Sequence, residues 1–134
     1  MNHVKRLYAL RGAVQCENTA DDMCCRIGQM YDELLRLNKL EEEDIVSVIF
    51  SVTGDLNALN PSAALRKYGR ARGGEALFSV QEPDCLNSLE RTVRVIIHCY
   101  LEEGSKVRHV YRNGAEVLRP DRGEREESTS NDAN

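Results

Sequence analysis

The chain has 134 residues, a length typical of one domain, with 41% hydrophobic and 30% charged residues and a formal net charge of -4. Residues 121–134 contain five acidic and two basic residues, so they carry -3 of this charge and residues 1–120 carry -1. A body so close to neutral is poorly suited to nucleic acid, because non-specific binding to phosphates depends on a basic face. A cluster of arginines in this chain is therefore expected to bind a small anion.

The cysteines and the amino-terminal residues indicate a cytoplasmic protein. The five cysteines include no CxxC pair, and no histidine is spaced with them as a metal ligand would be. We therefore expect reduced thiols and no metal. The start of the chain lacks the apolar core of a signal peptide, and no apolar run is long enough to span a membrane.

The first half of the chain predicts a strand, a long helix and a second strand. Residues 4–13 are rich in apolar side chains and predict a strand that ends at Gly12. Thr19 begins a weak capping box, and the apolar stripe that follows has helical spacing as far as about Asn38. Residues 45–53 are β-branched and almost continuously apolar, so they predict a central strand.

The second half predicts a short helix and several strands. Pro61 favours the first turn of a helix that stops at Gly69. Residues 75–82 and 91–100 predict two further strands. The dipeptide Asn113-Gly114 favours a β-hairpin, so we expect a final pair of strands around it.

The order of these elements predicts an α+β fold with one long helix, one short helix and about five strands. Residues 121–134 are polar, with Ala133 as their one apolar residue, and are expected to form a mobile tail. The predicted organisation is a single domain of residues 1–120 followed by this tail.

Arginines lie in or beside the predicted strands, where charged side chains are unusual. Arg94 interrupts an apolar strand, and Arg11 lies near the end of the first strand. A lone arginine in such a position usually extends its charged end into solvent. Several arginines that converge on one pocket would match a ligand with more than one carboxylate, because guanidinium is permanently charged and its donors form a planar fork.

The sequence contains no pattern typical of a nucleophile and its base, no metal motif and no glycine-rich phosphate loop. A pocket of arginines without a nucleophile favours either a reaction that needs only positioning and electrostatics or simple binding. The residue pattern alone leaves both alternatives open.

Five segments, taken together, resemble the monofunctional AroH class of chorismate mutase, and the resemblance covers nearly all of residues 5–120. The segments, in chain order, are LRGA (10–13), SVTGDLNALNPSAALR (51–66), SVQE (79–82), RTVRV (91–95) and RHVY with VLRP (108–120). The resemblance implies a homotrimer whose mixed five-stranded sheets form a pseudo-α/β-barrel, a chorismate-mutase-like arrangement related to the ferredoxin-like fold. It also implies active sites in clefts between neighbouring subunits.

The activity implied by the resemblance is the intramolecular [3,3] (Claisen) rearrangement of chorismate to prephenate in phenylalanine and tyrosine biosynthesis. This reaction needs no cofactor, proton transfer or covalent intermediate. The enzyme holds a folded, reactive conformer of its substrate and stabilises negative charge that develops on the ether oxygen. A site with arginines and no nucleophile fits this chemistry.

Four positions match the catalytic residues of the family. Arg94 matches the arginine that donates to the ether oxygen and to a substrate carboxylate. Arg11 and Tyr111 match the pair that holds a carboxylate. Glu82 matches the carboxylate that accepts a hydrogen bond from the ring hydroxyl.

Three further positions match substrate-binding residues. Arg66, on the short helix, matches a residue near the mouth of the site that attracts the anion or closes over it. Leu118 matches an apolar wall contact, and Arg119 matches a second arginine at the mouth.

Other substrate-binding positions depart from the family pattern. Ser79 replaces a cysteine that contacts the ring hydroxyl, and Phe78 replaces a small threonine beside it. Asn60 replaces an aromatic residue, and Ala63 stands where a lysine can occur. These departures are expected to affect affinity and the entrance of the pocket more than the chemistry.

Two other functions are compatible with the same residues. The first is a non-catalytic trimeric binding module for a small dicarboxylic metabolite, although such a sensor has no evident use for Glu82 beside its arginines. The second is a scaffold in which Arg94 and Glu82 form an ion pair and nothing more.

Overall fold

The computed structural model describes residues 4–119, which form a five-stranded mixed sheet with two α-helices on one side. The strand order is β3-β2-β4-β1-β5, with β4 antiparallel to β2 and β1, and with β3 and β5 parallel to their neighbours. The elements in chain order are β1 (Lys5–Gln15), α1 (Ala20–Asn38), a 3-10 helix (Glu42–Asp44), β2 (Ile45–Val52), α2 (Pro61–Tyr68), β3 (Ala76–Gln81), β4 (Thr92–Glu102), β5 (Val110–Arg112) and a second 3-10 helix (Ala115–Leu118). The predicted α+β fold with a mixed sheet, one long helix and one short helix is confirmed.

The ends of the chain lie outside the described residues. The predicted tail, residues 121–134, belongs to that part, so the predicted domain boundary stays a prediction. Among residues 4–119, every helix is too short or too polar to cross a membrane. All five cysteines fall within the described residues, and all five are free thiols.

The sheet has a covered face and an open face, as the alternation of burial along β4 indicates. Val93, Val95 and Ile97 are almost fully buried and belong to one core cluster with the apolar residues of both α-helices. Arg94 and Ile96 alternate with them and therefore point to the opposite side of the sheet. We call this opposite side the open face, because neither α1 nor α2 packs on it.

Local signals explain the position of α1. Thr19 Oγ1 accepts a hydrogen bond from the Asp22 N–H at 3.1 Å, so the predicted N-cap is confirmed. The helix ends at Asn38, as predicted, and Lys39 follows with a left-handed φ of 51°. The buried stripe of α1 consists of Met23, Ile27, Gly28, Met30, Tyr31 and Leu34.

The short helix α2 also begins and ends where the sequence predicted. Asn60 is the N-cap, Pro61 begins the helix, and Gly69 ends it with a φ of 107°. The helix packs closely on α1, because the ring of Tyr68 lies against Gly28. A Cβ atom at position 28 would collide with that ring.

The prediction that β1 ends at Gly12 is wrong, since the strand continues to Gln15. A Cβ atom at Gly12 would lie 3.0 Å from the carbonyl oxygen of Val110 and 3.2 Å from the side chains of Leu34 and Met30. The glycine therefore allows β5 and α1 to approach the strand closely, and it does not terminate the strand.

The predicted final hairpin is also wrong. Asn113 and Gly114 do form a turn, with φ values of 56° and 100°, but the turn leads into a 3-10 helix and not into a strand. Its first residue, Ala115, is fully buried and packs in a small cluster with Tyr111 and Ala13. β5 pairs instead with β1, in parallel. The pairing partner of β5 is therefore the distant strand β1 and not the segment just after the turn.

Candidate active site

Arg94 and Glu82 meet on the open face, beside Ser51. Arg94 projects from β4, and its Nε lies 3.6 Å from Glu82 Oε1. Glu82 directly follows β3, and its backbone N–H donates to the carbonyl oxygen of Val52 at 2.9 Å. Ser51 Oγ donates a hydrogen bond to the same carboxylate oxygen, Glu82 Oε1. The carboxylate is thus held between two neighbouring strands.

The ion pair between Arg94 and Glu82 leaves much of the guanidinium accessible. The Arg94 side chain is 49% exposed and the Glu82 side chain 23%. An exposed ion pair of this kind contributes about 0–1 kcal/mol to stability. A guanidinium has five N–H donors, and the pair with Glu82 engages its Nε end. Donors of Arg94 therefore remain accessible to a ligand.

One row of residues crosses the open face through Arg94. The register of the four strand pairs places these residues side by side. From β5 to β3 the row consists of Tyr111, Ala13, Arg94, Ser51 and Val80. Ala13, between Tyr111 and Arg94, is 1% exposed and packs against Tyr111 and Ala115, so the accessible part of the row begins at Arg94.

Arg11 lies on the same face, diagonally opposite Arg94. Its register partner is Ile96, two residues beyond Arg94 on β4, and diagonal neighbours in an antiparallel pair are within reach of long side chains. The Arg11 N–H donates to His109 Nδ1 at 3.0 Å, which anchors β1 to the segment before β5. Two positive charges therefore project from adjacent strands toward one region.

Tyr111 forms the opposite boundary of this region. It is 7% exposed, and Leu118 is partly buried against the same small cluster. The exposed Arg119 follows Leu118 directly. The end of the described chain thus brings an aromatic hydroxyl, an apolar side chain and a further arginine to one side of the site.

Three other predicted residues lie on the covered side of the sheet or beyond it. The hydroxyl of Ser79 bonds to Asn60 Oδ1 at 3.1 Å and to Ser62 Oγ at 2.7 Å, at the start of α2. Arg66 lies on the exposed surface of α2. A single chain therefore does not bring Arg66, Ser79 or Asn60 together with Arg94.

Phe78 lies on the open face, at the edge formed by β3. Its register partner is Ile49 on β2, and it is 62% exposed. Val80, two residues later on the same face of β3, is 42% exposed, so the two side chains form an apolar pair at the edge of the sheet.

A cleft of about 460 Å³ lies beside Glu82, between the ends of β2 and β3 and the loop before β4. Its volume suits a small ligand. Its wall includes four acidic residues, Asp55, Glu82, Asp84 and Glu90. Since a dianion would be repelled by this wall, the arginines on the open face are the better match for a ligand with two carboxylates.

The chemistry available at this face is electrostatic. Among residues 4–119, no group of three or more histidine, cysteine, aspartate or glutamate side chains is placed to hold a metal ion. The groups present are permanent cations, one carboxylate and a phenol. They can orient an anionic ligand and stabilise developing negative charge.

Sequence reasoning assigned no role to Ser51, although this residue contacts Glu82 directly. A signal was present, because Ser47 and Ser51 interrupt an apolar strand at even spacing and must share one face. What the spacing could not provide was the partner, which lies on another strand.

The fold and this face define a class: an α+β protein that carries arginines on the open face of a mixed sheet. The comparisons with known proteins assign the family. The model of chorismate mutase type I matches residues 7–122. The chain therefore belongs to the chorismate mutase type I family.

Individual relatives agree with this assignment. Chorismate mutase AroH of Bacillus subtilis (strain 168) is 29% identical over 119 residues, which cover 86% of this chain and 91% of that protein. Chorismate mutase AroH of Thermus thermophilus is 33% identical over 115 residues, covering 84% and 93%. The solved structure of a chorismate mutase from Clostridium thermocellum matches with a TM-score of 0.75 and 40% identity, over 83% of this chain and 99% of that one.

Family membership confirms the prediction from the five motifs. The protein is an isomerase that converts chorismate to prephenate, a reaction of aromatic amino acid biosynthesis. The alternative of a non-catalytic binding module is not favoured.

Proposed function

We propose that this chorismate mutase accelerates the rearrangement by holding the reactive conformer of chorismate on the open face and by stabilising charge on the ether oxygen. The observation that carries the proposal is the row through Arg94, with Glu82 and Arg11 beside it. The groups in this arrangement match a substrate with two carboxylates, a hydroxyl and an ether oxygen.

Each side chain has a separate role in this mechanism. Arg94 donates to the ether oxygen and to one carboxylate, and its contact strengthens as the C–O bond breaks and negative charge grows. Arg11 and Tyr111 hold a carboxylate from the other side. Glu82 accepts a hydrogen bond from the ring hydroxyl, and Leu118 forms an apolar wall. Because the reaction is unimolecular, positioning and electrostatics supply the acceleration.

The site is completed by a neighbouring subunit of a homotrimer. The apolar side chains that remain exposed on the open face support this assembly, because a neighbouring sheet would cover them. They include Leu7, Phe78, Val80 and Tyr100. We infer that three open faces turn inward to form a pseudo-α/β-barrel with the helices outside.

The position of Arg66 supports a shared site. Arg66 lies on α2, which packs on the covered side of its own sheet. It therefore reaches an open face only if that face belongs to another subunit, together with Asn60 and Ser79 from the same region. Arg66 and Arg119 then lie at the mouth, where they attract the dianion, and Phe78 lies at the entrance.

We further propose that the enzyme works in the cytoplasm, with chorismate as its small-molecule substrate. It uses no cofactor or metal and binds neither nucleic acid nor a membrane. The nearly neutral charge of residues 1–120 supports the expectation that the protein does not bind nucleic acid.

The proposal predicts that Arg94→Ala lowers kcat/KM for chorismate by roughly a hundred- to thousandfold, because one preorganised donor to the ether oxygen is lost. Arg94→Lys remains strongly impaired, because an ammonium cannot make the two-pronged contact. The rate is measured by the loss of chorismate absorbance, and size-exclusion chromatography verifies the assembly. Arg36→Ala, an exposed arginine on α1, is the control and keeps full activity. An Arg94→Ala enzyme as active as this control would refute the proposal.

A further inference from the structure

We propose that Ser51 is a positioning residue, whose hydroxyl orients the Glu82 carboxylate toward the substrate. The inference rests on the proposed role of Glu82 as acceptor of the ring hydroxyl and deepens it. Ser51 Oγ donates to Glu82 Oε1, and Arg94 Nε lies 3.6 Å from the same oxygen. Ser51 therefore forms a hydrogen bond with Glu82 and is the register partner of Arg94 on β4.

Glu82 needs such an anchor because of its position in the chain. It follows the last residue of β3 and begins the loop that leads to β4. Its backbone is attached by one hydrogen bond, from its N–H to the Val52 oxygen. A glutamate side chain has several rotatable bonds, and fixing them has an entropic cost. The backbone bond alone does not determine where the carboxylate points.

Ser51 is well suited to provide the missing restraint. It lies on β2, which is paired on one side with β3 and on the other with β4. Its side chain is short, so the position of its hydroxyl follows the strand closely. Because Oε1 is engaged by Ser51 and lies near Arg94, the inference assigns the second oxygen, Oε2, to the hydroxyl of the substrate. The serine thus decides which carboxylate oxygen meets the substrate.

Ser47 provides an internal comparison. It lies on the same strand and the same face, four residues earlier, and its Oγ is 2.9 Å from Nδ1 of His98. His98 is its register partner on β4. Ser47 therefore bonds directly across the strand pair, whereas Ser51 bonds to Glu82 at the end of β3. Ser51→Ala and Ser47→Ala are therefore matched variants: each removes one hydroxyl from β2, but only Ser51→Ala removes a contact with Glu82.

The test compares Ser51→Ala, Ser51→Thr and Ser47→Ala in the assembled enzyme with chorismate. We expect Ser51→Ala to lower kcat/KM roughly 10- to 100-fold, mainly through kcat, because a misplaced contact group loses transition-state interactions. Ser51→Thr retains a hydroxyl and recovers most of the rate. Ser47→Ala keeps wild-type rates. Equal rates in the Ser51→Ala and Ser47→Ala enzymes would overturn the inference.

A double variant separates positioning from a general structural effect. If Ser51 acts through Glu82, Ser51→Ala causes little additional loss in a Glu82→Gln background, since interacting residues are not additive. If Ser51→Ala lowers kcat/KM as much in the Glu82→Gln background as in the wild-type background, the inference is contradicted. It is also contradicted if the Ser51→Ala enzyme has a lower thermal midpoint and the loss of folded protein alone accounts for its lost activity. If Glu82→Gln itself has no effect, the proposed role of Glu82 fails. If Glu82→Gln impairs the enzyme and Ser51→Ala does not, the role of Ser51 alone fails.

Discussion

At the scale of single residues, the open face holds oppositely charged groups close together and leaves both partly accessible. The ion pair between Arg94 and Glu82 is long, at 3.6 Å, and partly exposed, so it contributes at most about 1 kcal/mol to stability. Its larger effect is on orientation, because each group limits the positions of the other. This arrangement is appropriate for a site whose donors must be in place before charge develops on the substrate.

The buried thiols lead to a prediction about stability at high pH. Burial raises the pKa of the Cys16 and Cys99 thiols from the ordinary 9.0 to about 11. Above pH 9 the unfolded chain releases these protons, while the folded chain retains them until about pH 11. The free energy of unfolding should therefore fall as the pH rises through this window. Urea denaturation at pH 7, 9 and 10.5 measures the decline.

Two variants provide the control for this prediction. Cys99→Ala should reduce the stability at neutral pH, because it leaves a cavity, and should make the decline above pH 9 smaller. Cys25→Ser changes an exposed thiol and should leave the decline unaltered. An identical decline in the Cys99→Ala and wild-type proteins would refute the assignment to this thiol.

At the scale of elements, the packing of α2 on α1 determines where Arg66 lies. The ring of Tyr68 lies against Gly28, and Arg70, two residues beyond the end of α2, forms an ion pair of 2.7 Å from its Nε to Asp32 Oδ1. The end of α2 and the residues that follow it are thus attached to α1. Because Arg66 lies near this end, a displaced helix would move its guanidinium.

Gly28→Ala should therefore raise KM for chorismate several-fold with a smaller change in kcat. The added Cβ displaces Tyr68, and with it the arginine proposed to lie at the mouth of the site. Steady-state kinetics give both constants. Gln29→Ala, on the exposed side of the same helix, should leave KM unchanged. Adding Tyr68→Ala to Gly28→Ala removes the collision and should restore KM; a persistently high KM would exclude this explanation.

At the scale of the whole molecule, the proposed shared site can be tested by mixing subunits. At chorismate concentrations well below KM, Arg94→Ala and Arg66→Ala should each lower the rate at every site of a homotrimer, the first through the rearrangement and the second through substrate binding. If one subunit supplies Arg94 and its neighbour supplies Arg66, trimers assembled from both co-expressed variants contain some sites in which both arginines are intact. Random assembly predicts roughly a quarter of the wild-type activity. If both arginines act within one chain, the mixture is no more active than the two variants alone, and the shared site is refuted.

Much of the fold could be predicted because its signals are local. Thr19 caps α1, Asn60 and Pro61 start α2, and Gly69 ends it. These signals depend on residues within a few positions of each other, so a single sequence contains them completely. The β-branched strands were predicted for the same reason. Gly12 was misinterpreted because a glycine that permits close packing and a glycine that ends a strand look alike in sequence.

The candidate site was only partly predictable. Arg94, Glu82, Arg11 and Tyr111 were selected by resemblance of their motifs, because each alone has an ordinary structural explanation. Their common face follows from the register of four strand pairs, which no local pattern contains. Ser79, which replaces the cysteine of the family pattern, lies in the same motif as Glu82, yet its hydroxyl bonds toward α2 on the other side of the sheet.

The sequence by itself determined where the helices and long strands form, which family the chain belongs to, and which residue types are available for the chemistry. Only the tertiary structure decided that β5 pairs with β1 in parallel and that Ser51 holds Glu82. The physical reason is separation along the chain: Ser51 and Glu82 are 31 residues apart. Contacts over such distances depend on strand order and register, and these are established when the whole sheet packs against its helices.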